Sequence, residues 1–201
     1  VFMVVFTTAL SFGLTYMFGY EDEASSVPAE DKEAGAIIEE ETTGTVPETL
    51  QDETIISPIV GQAVALENVN DPVFSSGAMG QGIAVKPSEG VVYAPADAEV
   101  TIAFATGHAF GLKTANGAEV LIHVGIDTVS MNGEGFDQKV AQGDKVKAGD
   151  VLGTFDAAKI AAAGLEDTTM VIVTNTADFA SVTPVATGSV AKGDAIIEVK
   201  A

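Results

Sequence analysis

The chain of 201 residues contains no cysteine and no tryptophan. The lack of cysteine excludes disulfide scaffolds, thiolate zinc sites and cysteine nucleophiles. Basic residues are also scarce, because nine lysine and arginine residues stand against 29 aspartate and glutamate residues, which gives a formal net charge of −20. Phosphate backbones bind basic surfaces, so this charge argues against nucleic acid as a partner.

Charge is missing altogether from residues 1–20. A run of about 20 apolar residues is long enough to cross a bilayer as a helix. Tyr16, Phe18 and Tyr20 lie at its far end, where interfacial aromatic rings are expected. We therefore predict a transmembrane helix over residues 1–20. A signal peptide, which lacks its usual basic region and cleavage site here, and a buried soluble helix are the alternatives.

Residues 21–53 hold twelve acidic residues and a single base, Lys32. Such a segment cannot bury enough apolar surface to offset the entropy lost on ordering. We predict a flexible acidic linker here.

Residues 54–201 show short runs rich in valine and isoleucine, separated by glycine, proline, aspartate and asparagine. Regularly spaced short strands with turn signals between them are typical of an all-β sandwich or barrel. One segment, Ala157–Leu165, has a helical pattern, with Asp156 as its N-cap and Gly164 near its end. The prediction is thus an antiparallel β-sandwich or barrel with one short helix.

This domain contains two histidines, His108 and His123, on either side of an Asn116–Gly117 pair. Asn-Gly between alternating runs is the strongest short signal for a two-residue β-hairpin turn. The sequence therefore predicts one hairpin that carries both histidines.

With that turn, Phe110 faces His123 and His108 faces Gly125. Directly opposite residues point to the same side of a sheet, so both histidines are expected on one face, with a low surface beside His123 at Gly125. The core face is then formed by alternate residues of the second strand, namely Val120, Ile122, Val124 and Ile126.

Two adjacent histidines suit a phosphoryl carrier. A neutral imidazole can donate a hydrogen bond from one ring nitrogen and present a lone pair on the other. His123 is the predicted acceptor, His108 is placed to bind the phosphoryl oxygens, and Thr106 is placed to orient His108. Phosphoryl transfer depends mainly on positioning and electrostatics, so a small site is sufficient.

Two segments resemble other kinds of site. The His-x-Gly-x-Asp spacing from His123 to Asp127 resembles the first zinc motif of lysostaphin-type endopeptidases, but no histidine follows His123, so the set of ligands is short. The segment Gly143–Asp150 resembles loops of biotinyl and lipoyl carriers, but it lacks their attachment lysine turn and is better interpreted as a β-turn.

Several stretches resemble the IIA domain of the glucose family of the phosphoenolpyruvate:sugar phosphotransferase system. They run in family order through the domain: IISPIVGQAVALENVNDPVFSSGAMGQGIAVKP, VYAPADAEV, TGHAFGL, EVLIHVGIDTVSMNGEGF and QGDKVKAGD. The resemblance implies an antiparallel β-sandwich that transfers a phosphoryl group without a cofactor or metal. It also implies that His123 is phosphorylated at Nε2, with His108 and Thr106 as its active-site neighbours.

The same resemblance implies a partner-binding rim of apolar residues and carboxylates around the histidines. By matching position these are Asp71, Val73, Phe74, Phe104, Phe110, Leu121, Asp127 and Val129. The implied partners are HPr as the donor and a IIB domain as the acceptor. A regulatory protein-binding module using the same face is the alternative function.

The first 23 residues resemble the end of a IIC sugar channel of the sucrose, β-glucoside or trehalose type, where Gly-Tyr/Phe-Glu-Asp-Glu closes the last helix. Together the two resemblances imply a IIB–IIC–IIA polypeptide at the cell membrane, with residues 54–201 on the cytoplasmic side and the sugar handled by the IIC part.

Overall fold

The structure, a computed structural model, describes residues 49–201. The predicted transmembrane helix over residues 1–20 and the linker up to residue 48 lie outside the described residues. Within residues 49–201, no helix is long and apolar enough to cross a membrane.

Short strands account for most of the regular structure. In chain order they are β1 (Glu53–Ile56), β2 (Gly61–Ala65), β3 (Gln81–Pro87), β4 (Val91–Tyr93), β5 (Ala98–Ala103), β6 (Ala109–Thr114), β7 (Glu119–His123), β8 (Phe136–Gln138), β9 (Lys145–Val146), β10 (Val151–Phe155), β11 (Thr169–Val173), β12 (Ser181–Pro184), β13 (Ser189–Val190) and β14 (Ala195–Lys200).

The strands form one large sheet and two small ones. The large sheet has the order β13-β2-β3-β11-β7-β6-β5-β9, and the small sheets have the orders β1-β14-β12 and β4-β10-β8. Every strand pair is antiparallel. The prediction of an all-β antiparallel fold is therefore confirmed.

Strand β11 shows how the two faces of the large sheet differ. All five of its residues are buried, because both faces are covered at this central position. Val171 and Val173 belong to the main core, which also contains residues of both small sheets. Met170 and Ile172 point the other way, into a second cluster that includes Phe74 and Ile126.

Within residues 49–201, two short α-helices each begin directly after an aspartate. Helix α1 (Pro72–Ser75) follows Asp71, whose carboxylate accepts from two backbone N–H groups. Helix α2 (Ala157–Ala162) follows Asp156, which caps it in the same way. The predicted helix and its N-cap are confirmed for α2, whereas α1 was missed. Short 3-10 helices lie at Leu66–Asn68, Thr128–Met131 and Thr176–Asp178.

Residues just before 54 also belong to the fold that the structure describes. Glu53 starts β1, the N–H of Gln51 donates to the carbonyl of Asn116 at 3.1 Å, and the carboxylate of Asp52 accepts from Lys200 at 3.1 Å. These three residues, assigned to the linker from composition, join the folded domain because strand pairing and an ion pair hold them.

The predicted register of the β6–β7 hairpin is wrong by one residue. His123 pairs with Ala109, and Phe110 pairs with Ile122 rather than with His123. Phe110 therefore points into the main core and is fully buried. This corrects its assignment to the partner-binding rim.

The turn explains the shift. The N–H of Thr114 donates to the carbonyl of Ala118 at 2.9 Å, so three residues rather than two form the loop. Ala115 does not pair with Ala118 because its N–H donates to the carbonyl of Asp97 at 3.0 Å. A contact to a distant segment thus overrides the local Asn-Gly signal.

Candidate functional site

Four aromatic rings lie in a row on the large sheet, over the face opposite the main core. The ring centroids of Phe74 and His123 are 5.2 Å apart, those of His123 and His108 are 5.0 Å apart, and those of His108 and Phe104 are 5.3 Å apart. The two histidine rings meet edge to face, with an interplanar angle of 78°. The predicted proximity of the two histidines is therefore present in the structure, although the predicted register is not.

His123 ends strand β7 opposite Met170 of β11, and only 5% of its surface is exposed. Its Nδ1 lies 2.9 Å from the carbonyl oxygen of Gly125. A carbonyl only accepts, so Nδ1 carries the proton and donates it. In the neutral ring this leaves the lone pair on Nε2, which is therefore the nucleophilic atom.

Gly125 has a role that the sequence pattern does not reveal. Its φ is +77°, in the left-handed region that favours glycine. Gly125 is also buried, and a Cβ atom there would lie 2.4 Å from Cγ2 of Thr128 and 2.7 Å from the carbonyl oxygen of Glu166. The predicted low surface beside His123 is therefore wrong, because neighbouring atoms fill that space.

His108 reaches His123 because it lies just before β6, where strand alternation does not apply. Gly107, with φ of +69°, turns the chain ahead of it. The carbonyl of His108 accepts from the N–H of Val124 at 2.8 Å. The backbone bond thus fixes His108 beside the end of β7, while the bend frees its side chain from the core face.

Only one of the two ring nitrogens of His108 has a hydrogen-bond partner among the described residues. Its Nδ1 lies 2.5 Å from Oγ1 of Thr106, as predicted from the sequence. Its Nε2 is buried and has no hydrogen-bond partner within residues 49–201. A buried polar atom without a partner is costly, and here it belongs to the ring that touches His123.

Both rings are neutral near pH 7. Burial, together with the neighbouring His123, lowers the pKa of His108 from 6.5 to about 4, since a charged ring is disfavoured away from water. Burial also lowers the pKa of His123, although the hydrogen bond to Gly125 and the charges of Asp71 and Asp127 act in the opposite direction.

The carboxylates of Asp71 and Asp127, both near His123, differ in their local role. Oδ1 of Asp71 accepts from the N–H groups of Val73 and Phe74 at 2.7 and 3.2 Å, so Asp71 sets the start of the helix that brings Phe74 to His123. Asp127 is exposed and has a left-handed backbone with φ of 58°. Both place negative charge near the nucleophile.

The remaining rim residues differ in exposure. Val129 is 40% exposed, whereas Phe74 is 6% exposed. Val73, Phe104 and Leu121 are half-buried. Apart from Phe110, each predicted apolar rim residue is thus at least slightly accessible, and Phe74 and Phe104 touch the histidine rings directly.

A metal site gains no support from the geometry. Among the residues that the structure describes, no group of three or more histidine, aspartate or glutamate side chains is arranged to hold a metal ion. What the site does present is one neutral imidazole with a fixed tautomer, a second imidazole beside it with a free nitrogen, and two nearby carboxylates.

Comparison with known proteins gives one family. Residues 53–179 match the family described as phosphoenolpyruvate-dependent sugar phosphotransferase system, EIIA 1. A glucose-specific EIIA component of Bacillus cereus is 47% identical over 125 residues, which are 62% of this chain and 76% of that protein.

A longer relative and a solved structure agree with this match. A β-glucoside-specific EIIBCA component of Dickeya chrysanthemi is 42% identical over 194 residues, which are 94% of this chain and 30% of that protein. The chain thus spans about a third of the length of that relative. The solved structure of the glucose permease IIA from Mycoplasma capricolum has a TM-score of 0.68 and 33% identity, covering 74% of this chain and 96% of that one.

Proposed function

Because this chain belongs to the EIIA 1 family of the phosphoenolpyruvate-dependent sugar phosphotransferase system, we propose that it carries the phosphoryl group on Nε2 of His123. The observation that carries this assignment is the hydrogen bond from Nδ1 of His123 to the carbonyl of Gly125 at 2.9 Å. This bond leaves the lone pair on Nε2.

The transfer is a displacement at phosphorus. The Nε2 lone pair of His123 forms a new N–P bond while the bond between phosphorus and the phosphorylated donor protein breaks, and the electron pair of that bond returns to the donor. The proton on Nδ1 of His123 stays in place, because the carbonyl of Gly125 accepts it throughout. A covalent intermediate on the carrier divides one transfer into two steps.

His108 serves as the hydrogen-bond donor to the phosphoryl group. If Thr106 donates its hydroxyl hydrogen to Nδ1 of His108, the ring proton lies on Nε2, which has no partner within the described residues. A phosphoryl oxygen on His123 then satisfies this atom. Donors of this kind stabilise the charge that moves during transfer.

The proposed donor is phosphorylated HPr, and the proposed acceptor is a cysteine of a IIB domain. Asp71 and Asp127 supply charge at the edge of the proposed docking face. Its apolar part is formed by the half-buried and exposed rim residues Val73, Phe104, Leu121 and Val129. One shared face suits a carrier that meets its donor and its acceptor in turn.

We also propose that the chain is the C-terminal part of a IIB–IIC–IIA permease for a sugar. The relative from Dickeya chrysanthemi, named an EIIBCA component, matches 94% of this chain. In this arrangement residues 1–20 end the IIC domain in the membrane, residues 21–50 contain the linker, and the folded domain from residue 51 onwards acts at the cytoplasmic surface. A tether of this kind raises the effective concentration of the carrier near IIB.

The test is phosphoryl labelling of the 201-residue chain from phosphoenolpyruvate through phosphorylated HPr. His123→Gln removes the nucleophilic nitrogen and should abolish the labelling. His108→Gln keeps His123 and should reduce acceptance from HPr less than it reduces onward transfer to IIB. Labelling that persists in His123→Gln would contradict the assignment of His123 as the phosphoryl acceptor.

The alternative function, a regulatory protein-binding module, has no feature in its favour, since the relatives described above are named as phosphotransferase-system components or as a permease.

A further inference from the structure

Thr128 is fully buried beside the site, at the start of the 3-10 helix Thr128–Met131 and directly after the loop 124–127 that follows β7. Its hydroxyl donates to the carbonyl oxygen of Val124 at 2.5 Å, four residues earlier in the chain. The N–H of Val124 in turn donates to the carbonyl of His108 at 2.8 Å. Val124 therefore links Thr128 to the backbone of the second histidine.

The bond from Thr128 acts on the peptide that precedes Gly125. The carbonyl of Val124 and the N–H of Gly125 belong to one planar peptide unit. The orientation of this plane sets φ of Gly125, which is +77°. That torsion in turn helps to direct the carbonyl of Gly125, the group that accepts the Nδ1 proton of His123 at 2.9 Å.

The methyl group of Thr128 holds the same loop from another side. A Cβ atom on Gly125 would lie only 2.4 Å from Cγ2 of Thr128, so the methyl group packs close to Gly125. The N–H of Ile126 donates to the carbonyl of Glu166 at 2.9 Å, which fixes the next residue of the loop.

The loop needs this support because one of its residues has an unfavourable backbone conformation. Glycine readily adopts the positive φ of Gly125, but for Asp127, at 58°, a positive φ is disfavoured by the Cβ atom. Such conformations persist only where the surrounding structure holds them. The hydroxyl and the methyl group of Thr128 supply two of the restraints.

We propose that Thr128 is a positioning residue: the hydrogen bond from its hydroxyl, rather than the packing of its methyl group, holds the carbonyl of Gly125 against Nδ1 of His123 and thereby keeps the proton on Nδ1 and the lone pair on Nε2. The effect on the tautomer stands by itself. Its consequence for phosphoryl acceptance rests on the proposed function of His123.

Two variants separate the hydroxyl from the methyl group. Thr128→Val keeps the volume and a methyl group but loses the hydrogen bond, whereas Thr128→Ser keeps the hydroxyl and loses the methyl group. The first measurement is ¹⁵N NMR of the histidine rings in the unphosphorylated 201-residue chain, which reports the proton position without any donor protein. Thr128→Val should show a mixture of the two His123 tautomers, while Thr128→Ser should keep the wild-type proton on Nδ1.

The second measurement is the rate of labelling by phosphorylated HPr. Loss of one buried hydrogen bond should slow labelling of Thr128→Val about 3- to 10-fold, and Thr128→Ser should stay near the wild-type rate. A Thr128→Val chain that is folded and keeps the wild-type tautomer would overturn the proposal. So would a tautomer mixture in Thr128→Ser, which carries the test if Thr128→Val does not fold.

The two proposals fail in different ways. If His123→Gln is still labelled, the phosphoryl-acceptor assignment is wrong, but the ¹⁵N signature still decides whether Thr128 positions the ring. If His123→Gln is inert and Thr128→Val retains the wild-type tautomer, the acceptor assignment stands and the positioning role is wrong.

Discussion

Gly125 joins two requirements in one residue, because its backbone is left-handed and its carbonyl accepts from the ring of His123. A side chain at this position would meet both Thr128 and the backbone of Glu166. The conformation and the close packing therefore select the same residue. Gly143 provides a comparison, since its φ is +91° but no atom lies within 4 Å of the position that a Cβ would take.

We predict that Gly125→Ala destabilises the fold more than Gly143→Ala. The control variant incurs only the left-handed backbone penalty of about 1–2 kcal/mol. Gly125→Ala adds an overlap with Cγ2 of Thr128 at 2.4 Å, for which overpacking typically costs a further 1–3 kcal/mol. Urea denaturation of both variants measures the difference in the free energy of unfolding. Equal losses would show that the packing around Gly125 yields without cost.

At this scale the sequence predicts side-chain chemistry better than backbone chemistry. The histidines and Thr106 were identified from their residue types, and the contact between Thr106 and His108 is present at 2.5 Å. The carbonyl of Gly125 was missed because every residue has a carbonyl and only the φ of +77° directs this one. Phe110 was misplaced because its face depends on the register, which a distant hydrogen bond to Asp97 decides.

Among the elements, helix α1 shows what a short segment can do. Its four residues are too few for a helical periodicity, so the sequence pattern does not predict it. The signals that remain are Asp71 as the N-cap and Pro72 in the first turn. Through this helix, Asp71 both positions Phe74 beside His123 and supplies a charge that raises the pKa of that histidine.

Two substitutions separate these contributions. Asp71→Asn keeps a side-chain oxygen that accepts from the helix, whereas Asp71→Ala removes both the cap and the charge. We expect Asp71→Asn to lower the pKa of His123 with little loss of stability. Asp71→Ala should lower the same pKa and also cost about 1 kcal/mol, the usual value of an N-cap. NMR titration of His123 gives the pKa and urea denaturation gives the stability. An unchanged pKa in both variants would contradict the electrostatic role.

In the molecule as a whole, the main core and the site lie on opposite faces of the large sheet. Val120, Ile122 and Val124 point into the main core, as their alternation predicted. Ile126, the fourth residue predicted for that face, instead lies in the second cluster, because the backbone turns at Gly125. His123, between Ile122 and Val124 in sequence, points to the other face, where Phe74 and Met170 form the second cluster. The alternating pattern was thus sufficient to place His123 off the core. It could not predict that segments between β2 and β3 would cover that face and bury the ring.

Burial of two neutral histidines makes the stability of the whole domain depend on pH. The pKa of His108 is about 4 in the folded chain and near 6.5 when unfolded, and the pKa of His123 is lowered as well. Between pH 6.5 and about pH 4, the histidines of the unfolded chain bind protons that those of the folded chain do not. The free energy of unfolding must therefore fall as the pH falls from 6.5 towards 4. Burial raises the pKa of Glu53, which opposes this trend because the folded state then binds the extra proton.

We therefore predict that the free energy of unfolding decreases as the pH falls from 6.5 to 5, and that His108→Gln makes the decrease shallower because one of the two histidines is gone. Glu53→Gln should make it steeper, since the opposing contribution is removed. Urea denaturation at several pH values between 7.5 and 5 gives the slopes. The comparison uses slopes rather than absolute stabilities, so a constant loss caused by either substitution does not affect it. A slope in His108→Gln equal to that of the wild-type chain would mean that burial does not hold His108 neutral. It would contradict the conclusion that both histidines of the site are neutral in the folded chain.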